Sequence, residues 1–434
     1  MSEVQSVPDR IPTINLSKAS SDSDPSIRAD LLAQLRHSLL DIGFLYISDH
    51  GVDATVVDNL LALLPLLFDL PEGVKSSASL LNSPHFLGYS SFGHETTAGS
   101  QDQREQFEFA NEVPVRDGDE SLSTRLLGPN QWPVVDRDTG DRDVETPGVS
   151  VGRLREAVEA YIREMQSLST RFLSLVEEAL EVESGVLQRF TGPQDRLKVV
   201  HYRSSGSADP SASESAAVDQ SPKDGHVPSA WIQGVGPHKD SSGWMTFLLQ
   251  TQPPPQAQAQ EQEQAQPLRL YSSSSPSSNG CGSTGSSGSI SGRGLQVLTK
   301  SGTWIDVPPM PGTFVVNMGQ AFEVVTNGLC KATTHRVLLP SGSFERYSVP
   351  FFQGVQPRLR KHDFMSLWAQ FDERRHRWGD GLEGDEARNV DSPFLKGKYD
   401  TWGEAQLRTK IRSHRDVGRR WYPDVYDKYV NDDS

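Results

Sequence analysis

The chain has 434 residues, of which 35% are hydrophobic, and its formal net charge is −15. This length is enough for one large domain or two small ones, and the acidic balance without a basic stripe argues against a general nucleic-acid binder. The two cysteines, Cys281 and Cys330, provide neither a disulfide framework nor a cysteine-rich metal site. No apolar run approaches the roughly 18 residues that span a bilayer. Because the N-terminus also lacks the features of a secretory signal, we expect a cytoplasmic protein.

The first predicted elements are short and alternate between strand and helix. Residues 11–16 are strand-like, and Ser26 is a candidate N-cap of a helix that has leucines along one face. Residues 44–47 form a second candidate strand. Residues 56–68 form a second candidate helix, which we expect Pro65 to kink or to end early.

The middle of the chain combines one long helix with several polar segments. Residues 113–150 are rich in Asp, Gly and Pro and predict a long surface loop, whereas an amphipathic pattern from Leu154 predicts a long helix that packs against a sheet. Segments 204–227 and 253–292 have a polar, low-complexity composition. Such segments cannot bury enough apolar surface to offset the entropy of ordering, so we predict two disordered inserts without a chemical role.

After about residue 195 the chain becomes rich in short strands, which predicts a barrel or a sandwich. From His362 it returns to helix, notably over residues 404–420, and we expect these helices to pack outside the sheets. The candidate strands are one that ends at Gln250, followed by residues 294–298, 303–307, 312–317, 322–326, 334–339 and 347–352.

Three side chains form a candidate metal site. His238 and Asp240 are separated by one residue in GVGPHKDSSGWMTFLLQ, and His335 lies in a predicted strand within TNGLCKATTHRVLLP, where it can point into a barrel. Two imidazoles and one carboxylate fit the facial triad of non-haem Fe(II), which leaves three coordination positions open. Zinc accepts the same ligands but prefers tetrahedral sites. His201, by contrast, is predicted to be a hydrogen-bonded core histidine.

A candidate anion site follows His335. Arg346 and Ser348 are two residues apart in a predicted strand, so they face the same way and can offer a guanidinium and a hydroxyl to one carboxylate. By itself the tripeptide is also compatible with a surface arginine beside an ordinary strand serine.

With these motifs in this order, the chain resembles the 2-oxoglutarate- and Fe(II)-dependent dioxygenases, and more narrowly their isopenicillin-N-synthase-like branch. The likeness covers most of residues 10 to 355. Its N-terminal part lies in IPTINL, DIGFLYISDHGV and GYSSFGHETTAGSQDQREQFEF, and its later part in LKVVHYR, GVGPHKDSSGWMTFLLQ, GLQV, GTWIDVPPMPGTFVVNMGQAFEVVTNG and ATTHRV.

The resemblance implies an α+β fold with a mainly β core, a double-stranded β-helix (jelly roll) with flanking helices. It implies an N-terminal non-haem dioxygenase segment over residues 1–150, a jelly-roll core over residues 151–360 and a C-terminal helical extension over residues 361–434.

The resemblance also implies the cofactors and the residues that bind them. Fe(II) would be bound by His238, Asp240 and His335, and 2-oxoglutarate would chelate this iron. Arg346 and Ser348 would hold the distal carboxylate of 2-oxoglutarate, and Tyr202 would help to position it. The chain departs from common family patterns at Val200, where several plant members have asparagine, and at Lys239, which we expect to point away from the metal.

The implied activity is an O2-dependent oxidation of a small organic molecule, by hydroxylation or desaturation, in secondary metabolism. We expect ascorbate to stimulate it, and we expect a monomer without a nucleic-acid or membrane partner. Two alternatives stay open at this point: an oxidase of the same fold that does not use 2-oxoglutarate, and a non-catalytic binder of small ligands. Candidate walls of the substrate pocket are Phe107, Phe109, Leu295 and Phe352.

Overall fold

A computed structural model describes most of the chain. The predicted inserts at 204–227 and 253–292 lie outside the described residues apart from residue 204, as does much of the predicted loop at 113–150. The described residues are 10–20, 24–97, 100–114, 121–134, 151–204, 231–241, 243–251, 294–340, 344–378, 390, 392 and 394–431.

The described elements are mainly short strands, with helices concentrated at both ends of the chain. The strands are β1 Thr13–Asn15, β2 Phe44–Ser48, β3 Gly88–Ser90, β4 Thr96–Thr97, β5 Ser100–Gln101, β6 Glu105–Ala110, β7 Arg196–Ser204, β8 Trp231–His238, β9 Met245–Gln250, β10 Leu295–Leu298, β11 Trp304–Asp306, β12 Thr313–Met318, β13 His335–Pro340 and β14 Phe344–Phe352. The helices are α1 Pro25–His37, α2 Ala54–Phe68, α3 Glu72–Ser77, α4 Val151–Ala179, α5 Gln320–Val325, α6 Lys361–Trp378, α7 Trp402–Ser413, α8 Arg415–Trp421 and α9 Pro423–Val430.

Two sheets enclose an apolar interior. The larger has eight strands in the order β1-β2-β12-β9-β14-β7-β6-β3, and the smaller has four in the order β11-β10-β13-β8. One apolar cluster joins the facing surfaces of the two sheets, with Phe44, Val200 and Val315 from the larger sheet and Leu295 and Val337 from the smaller. This arrangement places side chains from both sheets around one interior space.

The larger sheet is buried on both faces. In β2, Phe44 and Tyr46 join the cluster between the sheets, whereas Leu45 and Ile47 join the cluster that packs against the helices. Alternate residues of a strand point to opposite faces, so a strand covered on both sides is apolar throughout. The helix predicted from Leu154 is α4, and its apolar stripe belongs to the same outer cluster.

One detail of the predicted N-terminal helices is wrong, and one expected effect of Pro65 is absent. The N-cap of α1 is Asp24, whose carboxylate accepts the amide N–H of Ser26, because Pro25 occupies the first helical position. Pro65 does not end α2 early, since the helix continues to Phe68 as its predicted range has it, and a kink at Pro65 stays a prediction. A proline removes one backbone donor, and the packing of the surrounding leucines outweighs that loss here.

Two predictions for the second half also need correction. Residues 322–326 belong largely to α5 and not to a strand, since a short apolar run does not distinguish a buried strand from a buried helix. The helical stretch 404–420 is divided at His414 into α7 and α8. Side chains of α7 line the interior cavity, so this helix does not simply pack outside.

Within the described residues, no helix is both long and apolar enough to cross a membrane. The larger sheet contains strands from β1 to β14. The proposed division at residues 150 and 360 stays a prediction.

Candidate active site

Adjacent strands bring His238, Asp240 and His335 together. His335 begins β13 and lies directly opposite His238, the last residue of β8. Their ring centroids are 4.3 Å apart. Oδ1 of Asp240 lies 3.7 Å from Nε2 of His238 and 3.6 Å from Nε2 of His335. One ligand atom from each residue lies within 4.8 Å of the other two, so the three side chains could hold a single metal ion.

Hydrogen bonds orient both imidazoles in the same way. Nδ1 of His238 lies 2.8 Å from the carbonyl oxygen of Gly236, and Nδ1 of His335 lies 3.1 Å from that of Thr333. A carbonyl can only accept, so each Nδ1 carries the proton and donates it. Each Nε2 is then left with a lone pair for a metal.

Two polar side chains hold the carboxylate of Asp240. Its Oδ2 accepts hydrogen bonds from Oγ1 of Thr246 at 2.6 Å and from Nδ2 of Asn317 at 2.7 Å. Oδ1 therefore faces the two histidines. The backbone carbonyl of Asp240 also accepts the amide N–H of Gln320 at the start of α5, at 2.8 Å. Thr246 and Asn317 were not predicted as site residues, although each is a polar residue flanked by apolar ones in its strand.

Burial and mutual charge shift the pKa values of this group. Burial lowers the pKa of His238, and the neighbouring imidazole of His335 lowers it further. Burial would raise the pKa of Asp240, but the nearby histidines and its two hydrogen bonds outweigh that effect, so the net shift is downward. The site therefore favours neutral His238 and ionised Asp240, the forms that bind a metal.

Arg346, Ser348 and Tyr202 lie together on the larger sheet. Arg346 pairs directly with Tyr202 across β14 and β7, and its guanidinium carbon is 5.7 Å from the centre of the Tyr202 ring. Arg346 and Ser348 are both buried and line the same cavity, as their spacing predicts.

The guanidinium of Arg346 is incompletely satisfied. Nη2 donates to Oε1 of Gln250, but within the described part of the chain Nε and Nη1 are buried without a hydrogen-bond partner. Burial lowers the pKa of Arg346, and the adjacent Tyr202 acts in the opposite direction. A buried cation with unused donors is a receptor for a planar oxyanion.

A cavity of about 520 Å³ connects the candidate metal ligands with Arg346 and Ser348. Leu295 and Phe352 line it as predicted, whereas Phe107 and Phe109 lie in the cluster on the other face of the sheet. Phe107 and Phe109 are therefore ordinary core residues, the other position that suits an apolar side chain, because they alternate in β6 with Glu108 and Glu108 faces the cavity.

Val200 and Lys239, the two positions that depart from common family patterns, also line the cavity. A third residue, His201, lies elsewhere in the core. Val200 is part of the wall. Lys239 lines the cavity too, but its Nζ lies 3.3 Å from Oε2 of Glu323 in α5. His201 is buried between Glu105 and Glu345, as expected for a hydrogen-bonded core histidine.

Known protein families match the chain in two places. Residues 11–134 match the family described as non-haem dioxygenase in morphine synthesis N-terminal. Residues 284–355 match the 2OG-Fe(II) oxygenase superfamily, a range that includes His335, Arg346 and Ser348 but starts after Asp240.

Curated relatives match over nearly the whole chain. The 2-oxoglutarate-dependent dioxygenase frbJ of Dothideomycetidae sp. is 34% identical over 425 residues, covering 96% of this chain and 94% of the relative. The chain belongs to the 2OG-Fe(II) oxygenase superfamily. A 2-oxoglutarate-dependent dioxygenase of Gibberella zeae is 30% identical over 417 residues, covering 93% of this chain and 90% of that protein. Membership makes the protein an oxidoreductase that depends on Fe(II) and 2-oxoglutarate, which confirms the predicted family and enzyme class.

Solved structures of this superfamily share the fold. The crystal structure of a full-length Neurospora crassa protein, described as a complex with alpha-KG and thymine, has a TM-score of 0.55 at 19% identity and covers 80% of this chain and 87% of its own. A putative 2OG-Fe(II) oxygenase family protein from Caulobacter crescentus has a TM-score of 0.54 at 20% identity and covers 85% of this chain and 98% of its own. The predicted jelly roll with flanking helices is confirmed.

The residues present fit both groups that the family requires. Two neutral imidazoles and one ionised carboxylate are the donor set that suits Fe(II) with open coordination positions. The unpartnered nitrogens of Arg346 suit a carboxylate of 2-oxoglutarate.

Proposed function

We propose that the protein oxidises a small organic molecule at an iron bound by His238, Asp240 and His335. One observation carries this assignment: Nε2 of each histidine lies within 3.7 Å of Oδ1 of Asp240, while the opposite side of every ligand is held by a hydrogen bond. Such bonds fix the ligand atoms before the metal binds and so favour binding.

Arg346 and Ser348 are proposed to hold the distal carboxylate of 2-oxoglutarate. Gln250 orients the guanidinium from one side, and the ring of Tyr202 lies beside it. The buried donors of Arg346 that lack a partner among the described residues would then donate to a carboxylate oxygen, which would reduce the cost of burying them unpaired.

Bound iron and 2-oxoglutarate supply the oxidation, in which O2 converts 2-oxoglutarate to succinate and CO2 and the substrate is hydroxylated or desaturated. The protein binds and orients the reactants and limits access of water. Val200, Leu248 and Val337 form an apolar part of the cavity wall, which suits an oxidation that water would disturb.

The small-molecule class of the substrate is supported by the size of the cavity, about 520 Å³, and by the thymine named for the Neurospora crassa structure. A role in secondary metabolism, stimulation by ascorbate, a cytoplasmic location, a monomeric state and the absence of a nucleic-acid partner are parts of the same proposal.

The deciding experiment is a metabolite screen with the full chain, Fe(II), ascorbate and 2-oxoglutarate, in which O2 uptake and succinate are measured together. We expect at least one metabolite to accelerate both, with one succinate formed for each substrate oxidised. Substrate oxidation without succinate would contradict the use of 2-oxoglutarate. The Asp240→Ala protein is the control for iron-independent decarboxylation.

A further inference from the structure

One wall of the cavity carries charges that the iron and 2-oxoglutarate sites do not use. Arg196, Lys198, Arg408 and Lys410 line this wall together with Arg104. The carboxylates near them are Glu95 and Glu108, which also line the cavity, and Asp102, which lies 3.2 Å from Nη2 of Arg104. Among the described residues five cations therefore face three carboxylates, and this wall is net positive in a chain whose net charge is −15.

The excess of positive charge is concentrated around Glu108. Both oxygens of Glu108 accept from Nζ of Lys410, at 2.8 and 2.7 Å, and Oε1 also accepts from Nη1 of Arg196 at 2.6 Å. Nζ of Lys198 lies 3.7 Å from Oε2, beyond hydrogen-bond distance. Glu95 also attracts Lys198 and Arg104, so Glu95 and Glu108 together face four cations of this wall. In a partly desolvated wall the excess of positive charge is costly unless an anion offsets it.

The two lysines are the cations best placed to reach a ligand. Arg196 is fixed by the backbone carbonyls of His85 and Leu126, to which its Nη2 donates at 2.9 and 2.7 Å. The side chain of Lys198 is 16% exposed and that of Lys410 is 10% exposed, and both line the cavity. An ammonium has three donors. Lys410 uses two of them on Glu108 and keeps one for a ligand, whereas Lys198 lies too far from Glu108 for a hydrogen bond to it.

The same contacts argue against a cationic group of the substrate at this wall. Glu95 already accepts from Nη2 of Arg104 at 2.6 Å and lies 2.8 Å from Nε2 of His414. Glu108 is surrounded by cations. Neither carboxylate is therefore available to an incoming ammonium group.

Strand pairing gives the spacing between Arg196 in this wall and Thr246 beside the candidate iron site. Thr246, which holds Asp240, pairs with Phe352 in the next strand, and Phe352 pairs with Arg196 in the strand beyond. Residues directly opposite each other face the same side of a sheet, and two strand spacings amount to about 10 Å. Arg346 lies six residues from Phe352 along β14, about 20 Å away, so Arg196 is well separated from Arg346. Arg104 is nearer to Arg346, because both arginines interact with Tyr202.

We propose that the substrate carries an oxyanion, a carboxylate or a phosphate, bound by Lys198 and Lys410, while another part of the molecule lies at the metal ligands. This inference rests on the proposed function, since it assigns a substrate class to the same cavity. The oxyanion offsets the excess charge around Glu108 and orients the rest of the molecule toward the metal ligands.

Calorimetric titrations of the full chain test this, with Fe(II) and saturating 2-oxoglutarate in the absence of O2. Saturation occupies the Arg346 site, so that any further oxyanion binds elsewhere. The probes are benzoate against benzamide, a neutral molecule of similar shape, and phenyl phosphate against phenol, which lacks the phosphate. Whichever of benzoate and phenyl phosphate binds more tightly indicates whether the oxyanion of the substrate is a carboxylate or a phosphate.

We expect at least one of the two oxyanions to bind more tightly than its neutral counterpart. Lys198→Met should weaken that binding about tenfold or more, because a charge-assisted hydrogen bond is lost. Lys198→Arg should restore much of it. Lys300→Met is the matched control, because Lys300 is 57% exposed and pairs with Asp41 far from this wall. Lys410→Met tests the second lysine if its thermal unfolding resembles that of the unmodified protein, and otherwise Lys198 carries the test.

The proposal is overturned if neither oxyanion binds at millimolar concentration, if benzamide and phenol bind as tightly, or if Lys198→Met leaves oxyanion binding unchanged. Decarboxylation of 2-oxoglutarate is measured on the same samples in air. If 2-oxoglutarate is decarboxylated but oxyanion binding does not depend on Lys198, only this inference is rejected. If oxyanion binding depends on Lys198 but 2-oxoglutarate is not decarboxylated under any condition, the proposed function is rejected.

Discussion

His335 lies directly across from His238 in neighbouring antiparallel strands, with 4.3 Å between the ring centroids. The segment between them in the chain includes residues 252–293, yet the pairing of β8 with β13 makes the two histidines neighbours. Asp240, just beyond β8, completes the group.

Replacing Asp240 by alanine should remove most iron binding. The variant loses the single negative charge among the predicted ligands, so we expect iron affinity and succinate formation to fall about 100-fold or more. Iron bound after gel filtration and succinate formed are the measurements. Asp58→Ala, at an exposed position of α2, is the matched control, and equal iron binding in both variants would contradict the assignment of Asp240.

Asn317 should support iron binding without contacting the metal. Asn317→Ala removes one of the two hydrogen bonds to Oδ2 of Asp240 and frees the carboxylate to rotate. We expect iron affinity to fall about 10- to 100-fold while the protein stays folded. Thr246→Ser, which keeps the other hydroxyl donor, should bind iron almost normally. If Asn317→Ala also bound iron normally, the packing around Asp240 and not its hydrogen bonds would position the ligand.

Arg346→Met should raise the concentration of 2-oxoglutarate needed for half-maximal turnover. Loss of a charge-assisted pair of hydrogen bonds costs about 1.5–3 kcal/mol, or roughly 10- to 100-fold in affinity. Iron binding should not change, because Arg346 does not contact the metal ligands. Arg377→Met, whose side chain is 53% exposed, is the control. A normal requirement for 2-oxoglutarate in Arg346→Met would show that its carboxylate is bound elsewhere.

The buried carboxylate of Glu105 should make stability depend on pH in the acid range. Burial raises its pKa, but hydrogen bonds from His201, Tyr89 and Lys75 outweigh this and lower it to about 2 from an ordinary value of 4.5. The unfolded chain then takes up the proton first as pH falls. The contribution of Glu105 to stability is therefore full above pH 4.5 and is lost as pH approaches 2.

Glu105→Gln tests this linkage. The variant should be less stable at pH 7 by about 1–3 kcal/mol, and the difference from the unmodified protein should shrink as pH is lowered. Urea unfolding at a series of pH values measures it, with exposed Glu156→Gln as the control. A difference that does not change with pH would mean that Glu105 contributes through packing alone.

Oxyanion binding at the charged wall should weaken in alkaline solution. Burial lowers the pKa of Lys410 to about 8, with Glu108 acting against this and Lys198 and Arg196 adding to it. As pH rises through about 8, Lys410 loses its charge and the wall becomes less positive. Calorimetry between pH 7 and about 9 should show falling affinity for the oxyanion and constant affinity for its neutral counterpart, as expected for one titrating lysine. Equal affinity across this range would exclude Lys410 as a contact.

Local patterns predict much of the fold, and they fail where one segment fits two structures. The period of α4 and most strand positions are predicted correctly because each has one dominant apolar pattern. The composition of residues 322–326 suits both a strand and a helix, and in the structure most of this run belongs to α5, whose N-cap is Gly319. Ser26 is a plausible N-cap by residue type, but the sequence alone does not place the start of α1. Because α1 begins at Pro25 in the structure, the N-cap is Asp24.

The cavity wall shows more clearly where prediction from the sequence fails. The apolar character of Phe107 and Phe109 suggests that they face the substrate, yet Glu108 between them faces the cavity. In a sheet buried on both sides, polarity does not reveal which face is inward. The partner of Glu108, Lys410, is 302 residues away and arrives on a helix that the sequence predicts to pack outside.

The sequence by itself determined the chemical types of the candidate ligands and a strand-rich second half, because these depend on motifs and short-range periodicity, and its resemblance to the family implied the jelly roll. Only the tertiary structure decided which face of each strand borders the cavity, how Asn317 and Gln250 hold Asp240 and Arg346, and that cations from β7 and α7 gather around one carboxylate. The reason is that such contacts arise from the packing of distant segments, and no local pattern in either segment specifies its partner.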